Sequence, residues 1–198
     1  MIIQYSEVRK IDNSTLTKYI NWRPDMINAE AGQHHYKLLS YLSMKISNGL
    51  IFEFGTHYGI SSLALSVNKS NKIITYDLPN QYRKYGICPQ PKNVELKIGN
   101  IFDLNEEYKI LNADLIFVDV DHLGVFEWKI YAFLRDNKYK GLLLLDDIVF
   151  NKKMKTIWKN ITHTKYDVSE IGHAYIDPNG NPGGSALIDF NNSIIINR

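Results

Sequence analysis

The sequence predicts an α/β chain built on a doubly wound, mostly parallel sheet with helices on both faces and an antiparallel hairpin at its C-terminal edge. Three observations predict it. Short apolar runs alternate with amphipathic stretches along most of the length. The runs are apolar nearly throughout rather than at every second position, which is the pattern of strands covered on both faces. After Tyr166 the alternation stops, and two extended apolar runs flank the turn-rich stretch Asp177-Pro178-Asn179-Gly180-Asn181-Pro182-Gly183-Gly184, a hairpin signature.

The elements follow in order. Residues 1–30 read as an N-terminal cap, in which Trp22-Arg23-Pro24-Asp25 stands where a lid would lie. Gln33 to Ile46 reads as a helix with Leu38, Leu39, Leu42 and Ile46 at helical spacing, stopped by Asn48-Gly49. Leu50 to Phe54 is the first buried strand, Gly55 to Gly59 a turn, and Ile60 to Val67 the next helix. Lys72 to Tyr76, Val94 to Ile98 and Asp114 to Asp119 supply strands two to four. Leu123 to Asn137 is a helix with Phe126, Ile130, Phe133 and Leu134 on one face, and Gly141 to Leu145 is the fifth strand. With the hairpin from Tyr166 to Ile196 the sheet has seven strands. Residues 31–150 form the core of one domain, and residues 151–198 add a helix and the hairpin. The apolar end Ile194-Ile195-Ile196 is a candidate for pairing across a homo-oligomer interface.

Composition excludes several classes. The 198 residues carry 23 Lys and Arg against 21 Asp and Glu, net +2, which gives no broad field for a polyanion such as nucleic acid. The basic run from Lys152 to Lys159 reads as a solvated helix face. No apolar stretch approaches the roughly 20 residues of a membrane helix, and Met1 to Lys10 lacks a secretory core. The lone Cys88 suits a reducing compartment and reads as an incidental loop thiol. A soluble, cytoplasmic protein is expected.

In a sheet of this kind ligands bind at the carboxyl ends of the strands, near the switch in strand order. Glu53-Phe54-Gly55-Thr56-His57-Tyr58-Gly59 lies between the first strand and its helix. Its glycines allow close backbone approach, and the helix beginning at Ile60 points free N–H groups into the same space. A plain strand-to-helix turn is the competing explanation. The second strand ends in Tyr76-Asp77-Leu78, which sets a carboxylate beside the turn where a ribose diol would lie.

Together these residues resemble the class I S-adenosylmethionine-dependent methyltransferases, whose fold is Rossmann-like. Glu53-x-Gly55-x-x-x-Gly59 is similar to their first motif, with Thr56 inside it. Asp77 matches the acid that holds the cofactor ribose, and Ser61 matches a hydroxyl that helps hold the methionine carboxylate. Asn100-Ile101-Phe102 falls where the family lines the adenine pocket, with Asn100 standing where members often carry an acid. The resemblance runs from about Gly32 to Leu145, plus the hairpin.

Asp119-Val120-Asp121-His122 follows the fourth strand and Asp146-Asp147 the fifth. So much negative charge on one rim is costly unless compensated, and a hard divalent cation compensates it with oxygen ligands. Helix capping is the alternative use of such acids. The pattern resembles the metal-dependent O-methyltransferases of the catechol and macrolide-sugar types. By that resemblance Asp119, which also borders the cofactor, joins Asp146 and Asp147 as ligands of Mg²⁺. Three residues past the first metal Asp the catechol type carries Lys and the sugar type His; this chain has His122. The resemblance therefore implies methylation of a hydroxyl on a small acceptor such as a sugar, with His122 as general base. His173 is a further candidate, because Gly183-Gly184-Ser185 would pair beside it, whereas His34, His35 and His57 read as packing or surface residues. Two alternatives are metal-independent methylation, in which the acids only cap helices, and a non-catalytic module of the same fold, which would tolerate Gly55→Val apart from stability.

Overall fold

The computed structural model describes the chain apart from residues 21–26, 28–29, 81–87, 174–179 and 181 and the side chains of 30–33. Trp22-Arg23-Pro24-Asp25 and most of the stretch from Asp177 to Asn181 therefore lie outside the described residues.

The elements are β1 (Ile2–Gln4), α1 (Tyr5–Arg9), a 3-10 turn at Ser14–Tyr19, α2 (Glu30–Lys45), β2 (Leu50–Phe54), α3 (Ile60–Leu65), β3 (Lys72–Asp77) and β4 (Val94–Ile98). A second 3-10 turn at Glu107–Asn112 precedes β5 (Leu115–Val118), α4 (Val125–Asp136), β6 (Leu142–Leu145), α5 (Lys152–Asn160), β7 (Thr164–Asp167), β8 (Ala186–Asp189) and β9 (Ile195–Asn197). The main sheet has seven strands in the order β4-β3-β2-β5-β6-β8-β7. Every pair is parallel except β6 with β8 and β7 with β8. The strand expectations hold to within a residue, and β8 enters between β6 and β7, so the hairpin extends the edge as expected.

Strand periodicity sorts the side chains into two cores. Ile51, Leu115, Phe117, Leu142 and Leu144 face one side, where Leu38, Leu39 and Leu42 of α2 and Leu63 of α3 cover them. Phe52, Phe54, Ile116, Val118, Leu143 and Leu145 face the other, against Ile130 and Leu134 of α4 and Met154 and Ile157 of α5. Each leucine of β6 is buried because alternate residues feed opposite cores, which is why the strand reads as an unbroken apolar run. Helix α5 buries Met154 and Ile157 while Lys152, Lys153, Lys155 and Lys159 stay exposed, the solvated face expected of that basic run. Asn48 adopts φ +54°, the left-handed conformation that ends a helix.

Two features were not anticipated from the sequence. The C-terminal isoleucines pair within the chain: β9 runs parallel to β1 in register Ile2↔Ile195 and Ile3↔Ile196. A three-residue strand at Ile2–Gln4 is too short to announce itself by period. Cys88 is a buried thiol, 2% exposed, and burial raises its pKa to about 11.

Candidate functional site

Consecutive connections leave β2 for β3 and β4 on one side and return to β5 on the other. The connections therefore diverge from the paired ends of β2 and β5, and a cleft of about 420 Å³ opens there. Phe54, Gly55, His57, Tyr76, Asp77, Leu78, Gly99, Asn100, Ile101, Asp119, Val120, Asp121, His122 and Phe126 line it. A smaller cavity of about 50 Å³ adjoins it, bounded by His35, Tyr36, Gly55, Thr56, His57, Tyr58, Ile60, Ser61 and Asp119. Of the residues expected at the cofactor, Gly55, Thr56, Ser61, Asp77, Asn100, Ile101 and Asp119 line one cavity or the other. Glu53, Gly59 and Phe102 line neither.

Glu53 points from β2 toward α3, on the Ile51 side of the strand, and the Ser62 hydroxyl donates to its carboxylate. It is fully buried, and that burial raises its pKa to about 7 against the opposing hydrogen bonds of Ser61, Ser62 and Thr75. Gly59 precedes α3 with φ +79°, and Phe102 packs edge-on to Phe126 and Phe133.

Gly55 sits at φ +99°, and a Cβ there would come 1.7 Å from the backbone oxygen of Asp119. The close approach that requires glycine is thus between the ends of β2 and β5, and not with a ligand alone. A Gly55→Val test of ligand binding fails for that reason, because the side chain strikes protein first. Asp77 is anchored by the backbone N–H groups of His57 and Leu78, at 2.8 and 2.7 Å. Its carboxylate lines the cleft, and burial raises its pKa.

Beside Asp119 and His122 of the cleft lie the other predicted acids, Asp146 and Asp147, which line neither cavity, joined by histidines from distant elements. The ligand atoms of His35, Asp119 and Asp146 lie within 4.8 Å of one another, as do those of Asp146, Asp147 and His173. His122 Nε2 lies 3.0 Å from Asp147 Oδ2 and 3.6 Å from Asp119 Oδ1. His173 Nδ1 lies 3.2 Å from Asp146 and 3.1 Å from Asp147. The Ser185 hydroxyl donates to Asp146 at 3.0 Å and accepts from the His173 backbone N–H at 2.8 Å, the pairing that Gly183-Gly184-Ser185 suggested. Asp121 takes the local role instead, accepting from the Leu123 N–H at 3.1 Å.

The electrostatics follow from this crowding. Burial, then the charges of Asp146, Asp147 and Glu53, push the Asp119 carboxyl well above the usual range, although 35% of its side chain still meets the cleft. Burial opposes ionisation of Asp146 too, but His35, His173 and Ser185 outweigh it and hold that pKa at about 2. Burial would depress His173, yet hydrogen bonds to Asp146 and Asp147 and their charges lift it to about 10. His57, His122 and Asp147 all adopt positive φ, +48°, +54° and +54°. Such backbone is costly for residues other than glycine and clusters at functional sites.

The donor set holds carboxylates and imidazoles together, and both ring nitrogens of His35 are buried without hydrogen-bond partners. Buried carboxylates gathered with imidazoles are the chemistry of a cation site. His35 was not assigned from the sequence, since it comes from α2, and His173 was only a candidate, since it comes from the loop before β8. The Gly183-Gly184-Ser185 pairing was the only signal pointing to the second.

No family model and no curated protein matches the sequence. Among solved structures, an O-methyltransferase from Bacillus cereus in complex with SAH matches at TM-score 0.54, with 16% identity over 93% of this chain and 94% of that one. TomG from Streptomyces achromogenes, an O-methyltransferase involved in tomaymycin synthesis and solved with SAM, matches at TM-score 0.53, with 16% identity over 90% and 91%. Cofactor-bound Rv0187 from MTB matches at TM-score 0.57, with 16% identity over 91% of each chain. The chain thus has the fold of S-adenosylmethionine-dependent O-methyltransferases.

Proposed function

We propose that the chain is an S-adenosylmethionine-dependent O-methyltransferase acting on a hydroxyl of a small acceptor, a sugar or sugar-containing metabolite in class. A divalent cation at Asp119, Asp146 and Asp147 assists, and His122 serves as the base. One observation carries this reading: a single cleft at the β2–β5 gap has the anchored Asp77 carboxylate at one end and Asp119 with His122 at the other. The SAM and SAH complexes of proteins sharing the fold support it.

Asp77 would accept from ribose hydroxyls, its free lone pairs facing the cleft while two backbone N–H groups hold it in place. Ile101 and Phe126 offer an apolar surface to a base. Thr56 and Ser61 at the smaller cavity suit the polar amino-acid end. Glu53 acts from behind, bracing α3 through Ser62. When bound, a sulfonium cofactor would supply the methyl group in line with the departing sulfur, and a divalent cation held by Asp119, Asp146 and Asp147 would orient neighbouring hydroxyls and lower the pKa of one of them. His122 takes the hydroxyl proton at Nδ1, the ring nitrogen without a hydrogen-bond partner, while Nε2–H faces Asp147. Asp147 then steadies the imidazolium. Holding donor and acceptor in line supplies much of the acceleration.

A metal-independent version of the reaction has one observation in its favour. His173 already compensates Asp146 and Asp147 without an ion. Calorimetry with S-adenosylhomocysteine tests the cofactor, and labelled-methyl transfer to a panel of vicinal diols, with and without chelator, tests the rest. Saturable binding and chelator-sensitive transfer are expected. Chelator-resistant transfer would select the metal-free reading, and absence of S-adenosylhomocysteine binding would sink both.

A further inference from the structure

We propose that His35 is a metal ligand, and that with Asp119 and Asp146 it forms a mixed imidazole–carboxylate site selecting a first-row transition dication over Mg²⁺. This rests on the rim being a cation site and goes beyond it by adding a donor and naming the metal class.

His35 stands one turn ahead of Leu38 and Leu39 and two ahead of Leu42, so it occupies the core-facing stripe of α2. Its side chain is 9% exposed. Among the described residues neither ring nitrogen has a hydrogen-bond partner. A neutral imidazole carries one donor and one acceptor, and burying either unpaired costs about 1–3 kcal/mol. Apolar packing against Phe117, at 5.1 Å between ring centres, would be served as well by a leucine. The polar ring therefore calls for an occupant beside it.

What lies beside it is a gap bordered by acids. His35 Nδ1 is 3.9 Å from Asp146 Oδ1, too far for a hydrogen bond and close enough for both atoms to reach one ion. Asp119 completes the trio, and it also borders the small cavity that His35 lines. The other histidines of the rim are already engaged, His173 by Asp146 and Asp147 and His122 by Asp147. His35 alone in this cluster keeps both ring nitrogens unpaired. Mg²⁺ prefers oxygen ligands and keeps its waters. Mn²⁺, Fe²⁺, Co²⁺ and Zn²⁺ accept imidazole readily, so a histidine in the ligand set moves the preference toward them.

The test uses the full chain, stripped with chelator and titrated separately with Mn²⁺ and Mg²⁺ by calorimetry. Pulsed electron paramagnetic resonance of the Mn²⁺-loaded protein then looks for nitrogen coupling. Mn²⁺ should bind at least about tenfold more tightly than Mg²⁺, with nitrogen coupling that persists in His173→Gln. His35→Ala should abolish that coupling and weaken Mn²⁺ about 10- to 100-fold, with S-adenosylhomocysteine binding and thermal unfolding as checks on the fold. Equal affinity for the two ions, no nitrogen coupling, or coupling lost in His173→Gln or His122→Gln while His35 is intact would each overturn the proposal, and the wild-type, His173→Gln and His122→Gln spectra suffice if His35→Ala does not fold. Weakened S-adenosylhomocysteine binding with unchanged Mn²⁺ binding in His35→Ala would assign the ring to the cofactor instead. Failure to bind Mn²⁺ with S-adenosylhomocysteine binding intact removes the metal inference and leaves the transferase reading; the opposite result does the reverse.

Discussion

The side-chain amide of Asn151 donates a hydrogen bond to the backbone carbonyl of His122 at 2.8 Å. The same side chain caps α5, its oxygen accepting from the N–H groups of Lys153 and Met154 at 2.8 and 3.0 Å. One residue thus starts a helix and holds the positive-φ loop that carries the candidate base. Asn151→Ala should lower stability by about 1 kcal/mol, read by urea denaturation. Asn151→Asp keeps the cap but not the donor. Both variants should slow methyl transfer roughly tenfold to a hundredfold through misplacement of His122. Unchanged transfer in Asn151→Asp would remove the positioning role.

Asp77→Ala should weaken S-adenosylhomocysteine binding about 10- to 100-fold, the loss of hydrogen bonds to a charged acceptor. Calorimetry reads it directly. An unaltered affinity would mean that the ligand does not reach the ends of β3 and β4.

Gly55→Ala tests the approach of β2 to β5. Even a methyl group collides with the Asp119 carbonyl, and the φ of +99° disfavours any side chain. A loss of more than about 3 kcal/mol is expected, and a melting curve like that of the wild type would contradict the geometry.

Glu53 predicts a pH dependence. Its pKa is raised by burial from 4.5 to about 7, so the folded state holds a proton that the unfolded chain releases. Stability from this group is greatest below about pH 4.5 and is lost as pH rises to about 7. The change is roughly 3 kcal/mol. Glu53→Gln should flatten that part of the stability profile, measured by denaturation between pH 4.5 and 7.5. A wild-type profile as flat as the variant's would refute the assignment.

The sheet was legible because its strands are buried on both faces, so Leu142–Leu145 and Leu115–Val118 announce themselves as apolar runs. The acids were legible for a topological reason: Asp77 ends a strand, Asp119 and Asp146 each follow one, and those strand ends must face the same edge. Of the imidazoles, His122 was legible beside Asp119 and His173 only as a candidate, while His35 was not. His35 sits in a helical stripe that reads as core, and His173 in a loop whose position depends on where β8 inserts. The need for glycine at position 55 was readable, but its partner was not, since contact with the Asp119 carbonyl is made across strands far apart in sequence. Pairing of β1 with β9 escaped because three residues carry no period.

The insertion of β8 between β6 and β7 has a consequence for synthesis. Until Ala186–Asp189 has left the ribosome, the all-leucine strand β6 shows an open edge and β7 has nothing to pair with. Such an edge invites association with other chains. Nascent chains arrested short of residue 186 should therefore be held by chaperones, and release into a soluble form should begin only once β8 emerges.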